Sequence, residues 1–209
     1  MKKITIIDYG MGNIQSLYNA LKFLGYNPEF YSENDEINSN LCVLPGVGAY
    51  NHAMELLIKK KINYKIYNYL NDNSNFIIGI CLGMQLLFNE SEENMKTKGL
   101  KIIEGKVLRL SSNMSTILPN VGWFETSIHA SKYHSYLNQF NKEKFYYVHS
   151  FHAQPNDNKN QIGVTNYYEK NVCAIAIKNE NIIGTQFHPE KSSKIGLDFL
   201  KTIIDNTIN

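Results

Sequence analysis

The feature that most constrains the fold is an alternation in the N-terminal half. A short apolar, β-branched run is followed by a glycine turn, and then by apolar residues at helical spacing. Ile4 to Asp8 reads as a buried strand, and Tyr9-Gly10-Met11-Gly12-Asn13 turns the chain. Ile14, Leu17, Leu21 and Leu24 then mark one face of a helix that Gly25 stops. Phe30-Tyr31 is a weak second strand. Leu41 to Leu44 runs into Pro45-Gly46-Val47-Gly48, and Ala53, Met54, Leu57 and Ile58 predict a helix that continues or restarts toward Leu70. Phe76 to Ile80 ends at Cys81, and Met84, Leu87 and Phe88 fit a helix that begins at once. Strands apolar on both faces need cover on both faces. The pattern therefore predicts an α/β fold: a doubly wound, mostly parallel sheet with helices on either side.

The second half has a different rhythm. Ile102 to Leu110, Gly122 to Ile128, Phe145 to His149, Ile162 to Tyr168, Val172 to Ile177 and Ile182 to Phe187 read as strands between polar turns. They predict an added mixed or antiparallel sheet. Gly196 to Ile204 closes the chain as an amphipathic helix. No composition shift marks a boundary, so residues 1–209 are expected to form a single domain.

Bulk properties exclude several functional classes. A net charge of +2, with Lys59-Lys60-Lys61 as the visible basic run, gives no electrostatic case for nucleic acid. That run reads as the solvated end of a helix. No apolar stretch approaches a membrane span, and the segment after Met1-Lys2-Lys3 is too short for a signal core, so a cytoplasmic protein is expected. Three cysteines without close spacing argue against a disulfide scaffold. Cys42 and Cys173 lie in apolar runs and read as core residues.

Cys81 is different. Gly79-Ile80-Cys81-Leu82-Gly83 puts a cysteine at a strand-to-helix junction with a glycine two residues away on each side. This is the cysteine form of a nucleophile elbow. The glycines remove side chains that would clash in a tight turn. Such an elbow exposes the sulfur at the carboxyl end of the sheet, beside a helix N-terminus that favours thiolate.

A thiol nucleophile needs an imidazole held by a third group. His188 closes the Ile182 to Phe187 strand and precedes Pro189-Glu190. In an extended chain residues two apart share a side, so Glu190 would orient one nitrogen of His188 while the other faces Cys81. Pro189 favours the extended form at His188. The remaining histidines are weaker candidates. His149 and His152 lack the carboxylates or thiols of a metal site, so no metal is expected, and His52, His129 and His134 read as surface or loop residues. Acyl transfer also needs donors for an oxyanion. The Leu82 N–H follows the nucleophile directly. The glycines of Pro45-Gly46-Val47-Gly48 permit a second inward N–H, although the same tetrapeptide also suits an ordinary strand–helix turn.

Taken together, Gly-Ile-Cys-Leu-Gly-Met-Gln at 79–85 and Gln-Phe-His-Pro-Glu-Lys-Ser at 186–192 resemble the class I (triad) glutamine amidotransferases. Within them, Asp8 to Asn13, Leu44 to Ala49, Gly122-Trp123 and Tyr147 to Ser150 are similar to the glutaminase subunits of imidazole glycerol phosphate synthase, nearly end to end. The resemblance implies that Cys81 attacks the glutamine amide, His188 shuttles the proton and Glu190 orients His188. It implies that Gln85 and Glu93 hold the α-amino and carboxylate groups of glutamine, with Ser150 and Phe151 as the opposite wall. Val47 or Gly48 would supply the second oxyanion N–H, in a loop held misoriented until a partner binds its own substrate. Ammonia would pass to a (β/α)8-barrel cyclase in a heterodimer, in histidine biosynthesis, and no cofactor is implied. Three positions depart from the pattern: Asn120 where His is usual, Phe124 where Asn is usual, and Gln15 where Arg is frequent. The resemblance implies that they lie on the partner-facing side. Two alternatives follow: a paralogue supplying ammonia for a surface-polysaccharide or flagellin sugar amidine, or an inactive interaction module. The intact Cys81, His188 and Glu190 speak against the latter.

Overall fold

The computed structural model describes residues 2–31, 36–110, 117–130, 132–168 and 170–207. Its elements run β1 (Lys3–Ile7), α1 (Ile14–Phe23), β2 (Asn27–Tyr31), β3 (Leu41–Leu44), α2 (Tyr50–Lys59), α3 (Ile62–Leu70), β4 (Phe76–Ile80), α4 (Leu82–Leu86), β5 (Phe88–Ser91), β6 (Thr97–Lys98) and β7 (Ile103–Arg109). They continue as β8 (Asn120–Ile128), β9 (Glu143–His149), β10 (Phe151–Pro155), β11 (Gln161–Tyr167), β12 (Lys170–Lys178), β13 (Ile182–Thr185) and α5 (Ser193–Thr207).

Among the described residues, nine strands form one sheet in the order β2-β1-β3-β4-β13-β12-β11-β8-β9. From β2 to β13 the pairings are parallel. From β13 to β9 they are antiparallel. A second sheet, β10-β7-β5-β6, packs against one side. The expected mixed α/β architecture is therefore present, with the change from parallel to antiparallel falling at β13, next to β4.

The central strands are apolar throughout because each alternates between two cores. In β3, Cys42 and Leu44 face one core, with α2, α3 and the second sheet; Leu41 and Val43 face the other, with α1 and α5. In β4, Ile77 joins the first core and Ile78 and Ile80 the second. An aromatic group closes the second core: Phe199 of α5 packs edge-on against Phe140, Phe145 and Phe187 at 5.2–5.3 Å.

Local readings needed correction. The helix after Cys81 stops at Leu86, and Phe88 opens a strand instead, paired with Ile103 of β7. The helical spacing of Met84, Leu87 and Phe88 yields to this long-range pairing. Of the two readings of the 53–70 region, continued or restarted, the second holds: two helices, broken at Lys60 and Lys61. The last strand ends at Thr185, short of Phe187. His134 is buried, not on the surface, and its Nε2 meets the Asn179 carbonyl at 3.2 Å.

Candidate active site

The turn that carries Cys81 is built by glycines. A Cβ on Gly79 would lie 2.8 Å from the Met84 backbone, and one on Gly83 would lie 1.8 Å from the Leu44 carbonyl oxygen. Gly184, opposite Gly79 across the β4–β13 ladder, leaves room for Met84 in the same way, since its Cβ would come within 2.6 Å of the Met84 side chain. α4 therefore starts in direct contact with the sheet. Cys81 takes up the strain of the reversal, with φ 54° and ψ −110°. That backbone costs a non-glycine residue roughly 1–3 kcal/mol and is held by its surroundings. Its N–H donates to the Thr185 carbonyl at 2.7 Å and its carbonyl accepts from Gln85 N at 3.1 Å.

The sulfur sits at the floor of a cleft and is not prominently exposed as expected: Cys81 is only 6% accessible. The loop 45–48 and the segment 148–151 cover it from two sides. The cleft encloses about 560 Å3 and is lined by Val47, Gly48, Leu82, Gln85, Glu93, Ser150 and Phe151, all singled out from sequence, and also by Pro119, Val148, His149 and Lys191. His188 and Glu190 do not line it. They stand behind Cys81, with side chains 3% and 5% exposed.

His188 Nδ1 and Glu190 Oε1 are 2.8 Å apart. The route differs from the one expected. Pro189–Lys191 forms a 3-10 turn, so Glu190 curls back to its partner where an extended chain had been expected to align the two. The His188 backbone is clamped from both ends: its N–H donates to the Tyr146 carbonyl at 2.9 Å and its carbonyl accepts from Ser192 Oγ at 2.7 Å. Among the described residues His188 Nε2 and Glu190 Oε2 are buried without a hydrogen-bond partner. Burial alone would drive the imidazole toward its neutral form. The charge on Cys81, contact with its sulfur and the Glu190 carboxylate outweigh burial and carry the His188 pKa up to about 10. This side of the cleft is arranged to hold a proton on His188, between Cys81 and Glu190.

The loop beside Leu82 is pinned from below. Tyr9 Oη donates to the Pro45 carbonyl at 3.0 Å, and burial, with charge on Cys81 and Asp8, pushes this phenol upward so that it stays a donor. Gly46 leaves space for that hydroxyl, since a Cβ there would sit 2.5 Å from it. Gly48 has φ +102°. The far end of the loop meets Glu93, whose Oε2 accepts the N–H of Tyr50, the first residue of α2, at 2.9 Å.

Gln85 is 4% exposed, and its side-chain NH2 is taken up: Nε2 donates to the Phe151 carbonyl at 2.8 Å and to Gln186 Oε1 at 3.0 Å. Its Oε1 is the atom left for the cleft. Of the departing positions one lies inside and one is half-buried. Asn120 is fully buried, with Nδ2 3.0 Å from His149 Nε2. Phe124 packs edge-on against Tyr147 and Tyr167 at 6.0 and 5.6 Å. Gln15 is exposed and bonded to Asn19. The exposed hydrophobic residues on this strand are Val121 and Trp123, at 51% and 46%. Sequence reasoning gave no role to Gln186, whose signal was a lone amide inside an apolar strand end. Among the described residues no cluster of His, Cys, Asp and Glu could hold a metal, and no helix is long and apolar enough to cross a membrane.

The family model for class I glutamine amidotransferases matches residues 5–204. Imidazole glycerol phosphate synthase subunit HisH from Caldanaerobacter subterraneus subsp. tengcongensis is 42% identical over 95% of this chain and 95% of its own. The HisH subunit from Prochlorococcus marinus is 38% identical over 99% of both chains. The chloroplastic imidazole glycerol phosphate synthase hisHF of Arabidopsis thaliana is 37% identical over 96% of this chain, which spans only 34% of that longer protein. Among solved structures, PurLQS from Thermotoga maritima superposes with a TM-score of 0.75 at 18% identity, covering 99% of this chain and 97% of that one. A glutamine amidotransferase from the same organism gives 0.68 at 13%, covering 99% and 97%.

Proposed function

Because this chain belongs to the class I glutamine amidotransferases, and within them to the HisH subunits of imidazole glycerol phosphate synthase, we propose that its cleft hydrolyses glutamine with Cys81, His188 and Glu190 as the working triad and passes ammonia to a (β/α)8-barrel partner. The observation that carries this reading is a strained elbow cysteine at the floor of a lined cleft, backed by a buried, carboxylate-held imidazole. The Cys81 thiolate attacks the amide carbon of glutamine. His188 gives its proton to the departing ammonia, leaving a thioester on Cys81. Water, deprotonated by His188, then attacks the thioester carbonyl, and glutamate leaves as the sulfur regains its electron pair. Glu190 holds the imidazole through Nδ1 and favours its charged form. The N–H of Leu82 and that of Val47 or Gly48 receive the oxyanion.

Gln85 Oε1 and Glu93 suit the α-ammonium of glutamine, and the backbone at Ser150 and Phe151 bounds the other side. The exposed pair Val121 and Trp123, one and three strand positions from the buried Asn120, supports a barrel docked over Pro119 at the cleft mouth. The plant relative, in which the matching segment is part of a longer synthase chain, supports such proximity. The sugar-modifying alternative drew on Asn120 and Phe124 as partner-facing residues. Asn120 points inward, which removes its support; Phe124 is half-buried and lines a groove with Pro119 and Val121, so it does not discriminate between the two partners. The test is glutamate release by the chain with a candidate barrel and its substrate, together with rescue of a histidine auxotroph lacking this subunit. Release and rescue are expected; release without rescue, with the cognate barrel expressed, would move the ammonia to another acceptor.

A further inference from the structure

The hydrogen bonds beneath the cleft form a chain with a fixed polarity. It starts at the Phe151 carbonyl oxygen, which can only accept. Gln85 must therefore turn its NH2 toward that oxygen, at 2.8 Å. The same NH2 lies 3.0 Å from the side chain of Gln186, so Gln186 must present its carbonyl there. Its own NH2 is thereby forced the other way, toward Cys81 Sγ at 3.8 Å. Flipping Gln85 would set acceptor against acceptor at Phe151, and flipping Gln186 would set donor against donor at Gln85, inside the protein, since Gln186 is fully buried and Gln85 nearly so. The Phe151 carbonyl is held in place by a second donor, His149 Nδ1 at 2.9 Å. The tautomer follows from Asn120, whose Nδ2 lies 3.0 Å from His149 Nε2. Burial drives the His149 pKa down to about 4, so the ring stays neutral and keeps one donor and one acceptor.

We propose that Gln186 is a further catalytic residue, whose side-chain amide donates to the Cys81 thiolate, with its direction imposed by the Phe151–Gln85 relay. The sulfur has two polar neighbours of opposite preference. The Val148 carbonyl, also at 3.8 Å, accepts from a thiol and repels a thiolate. Gln186 donates, and a donor stabilises the anion. The relay also touches the substrate side. Gln85 leaves Oε1 for the cleft, so a cation bound there polarises Gln85, then Gln186, and strengthens the donor at the sulfur. On the proposed glutaminase reading, on which this last step rests, glutamine itself would tune its nucleophile.

The experiment is alkylation of the full chain with iodoacetamide, read by mass spectrometry at the Cys81 peptide across a pH series. It needs neither glutamine nor a partner, so its failure is separable from failure of the glutaminase reading. Gln186→Met keeps the volume and removes the donor. The expected result is alkylation about tenfold slower near pH 6 and within about twofold of wild type near pH 10, where both thiols are ionised. An unchanged profile, or equal slowing at both pH values, overturns the proposal. If Gln186→Met does not fold, the wild-type chain decides. The side-chain NH2 resonances of Gln186 are expected to move as Cys81 ionises and to stay fixed in Cys81→Ala; resonances that ignore Cys81 overturn it.

Discussion

Replacing Gly83 by alanine sets two effects of known size against each other. Gly83 lies in α4, where alanine is favoured over glycine by about 1 kcal/mol. Against that, the new Cβ would sit 1.8 Å from the Leu44 carbonyl oxygen and 2.7 Å from its carbon. Ordinary contact needs about 3.3 Å, so backbone on one side must move by roughly 1.5 Å. Overpacking of this kind costs about 1–3 kcal/mol and more where rigid backbone is the obstacle. The clash wins, and Gly83→Ala is expected to destabilise by at least about 2 kcal/mol. What yields is the Leu44–Pro45 segment, which leads into the loop beside Cys81. A displacement near 1 Å there is expected to lower glutamate release about a hundredfold. Gly25→Ala is the control. Gly25 has φ +86° with nothing within 4 Å of its Cβ, so it carries backbone strain alone, about 1–2 kcal/mol, with activity retained. Urea midpoints and glutamate release for both variants decide the matter. If Gly83→Ala is as stable and active as wild type, or costs less than Gly25→Ala, the packing argument is wrong.

Three further outcomes are expected. Glu190→Gln leaves His188 Nδ1 a neutral partner and removes part of what holds the imidazolium, so glutamate release should fall by about a hundredfold, as a pH–rate profile would show. The folded pKa of His149 lies below its unfolded value, so the unfolded chain binds the extra proton. Stability should therefore drop as pH falls from about 6.5 toward about 4, by at most about 3 kcal/mol, and in urea titrations the slope of stability against pH should differ between wild type and His149→Phe in that window. Phe199→Ala opens the core between Phe140, Phe145 and Phe187 and should cost about 3–5 kcal/mol, seen as a lower thermal midpoint.

The parallel half of the fold was legible because its strands are apolar on both faces and punctuated by glycine. Those are local signals with one main explanation. The same holds for the elbow: Gly79 and Gly83 flag a close backbone approach, and the structure shows what each would strike. Less legible were features decided by distant partners. Phe88 leaves a helical spacing to pair with β7. Glu190 reaches His188 through a 3-10 turn that Pro189 begins, although a strand-like alternation gives the same residue pair. His134 looks like a loop residue until Asn179 is seen to cover it. Asn120 and Gln186 are the sharpest cases. Each is a lone amide whose meaning depends on a neighbour remote in sequence, His149 for one and Gln85 with Cys81 for the other. Nothing within a few residues of either announces that neighbour.

The central claim is that Cys81 attacks the glutamine amide. The most direct measurement uses a chloroketone analogue of glutamine, which alkylates only a thiolate that binds and attacks it. The chain, with its barrel partner and that partner's substrate, is treated with the analogue and digested, and each of Cys42, Cys81 and Cys173 is weighed. The other two cysteines are fully buried and their thiols are pushed up by burial, so they serve as internal controls. The account expects one adduct, on Cys81, suppressed by excess glutamine and by His188→Asn. Labelling of another cysteine, or labelling of Cys81 that glutamine does not suppress, would contradict it.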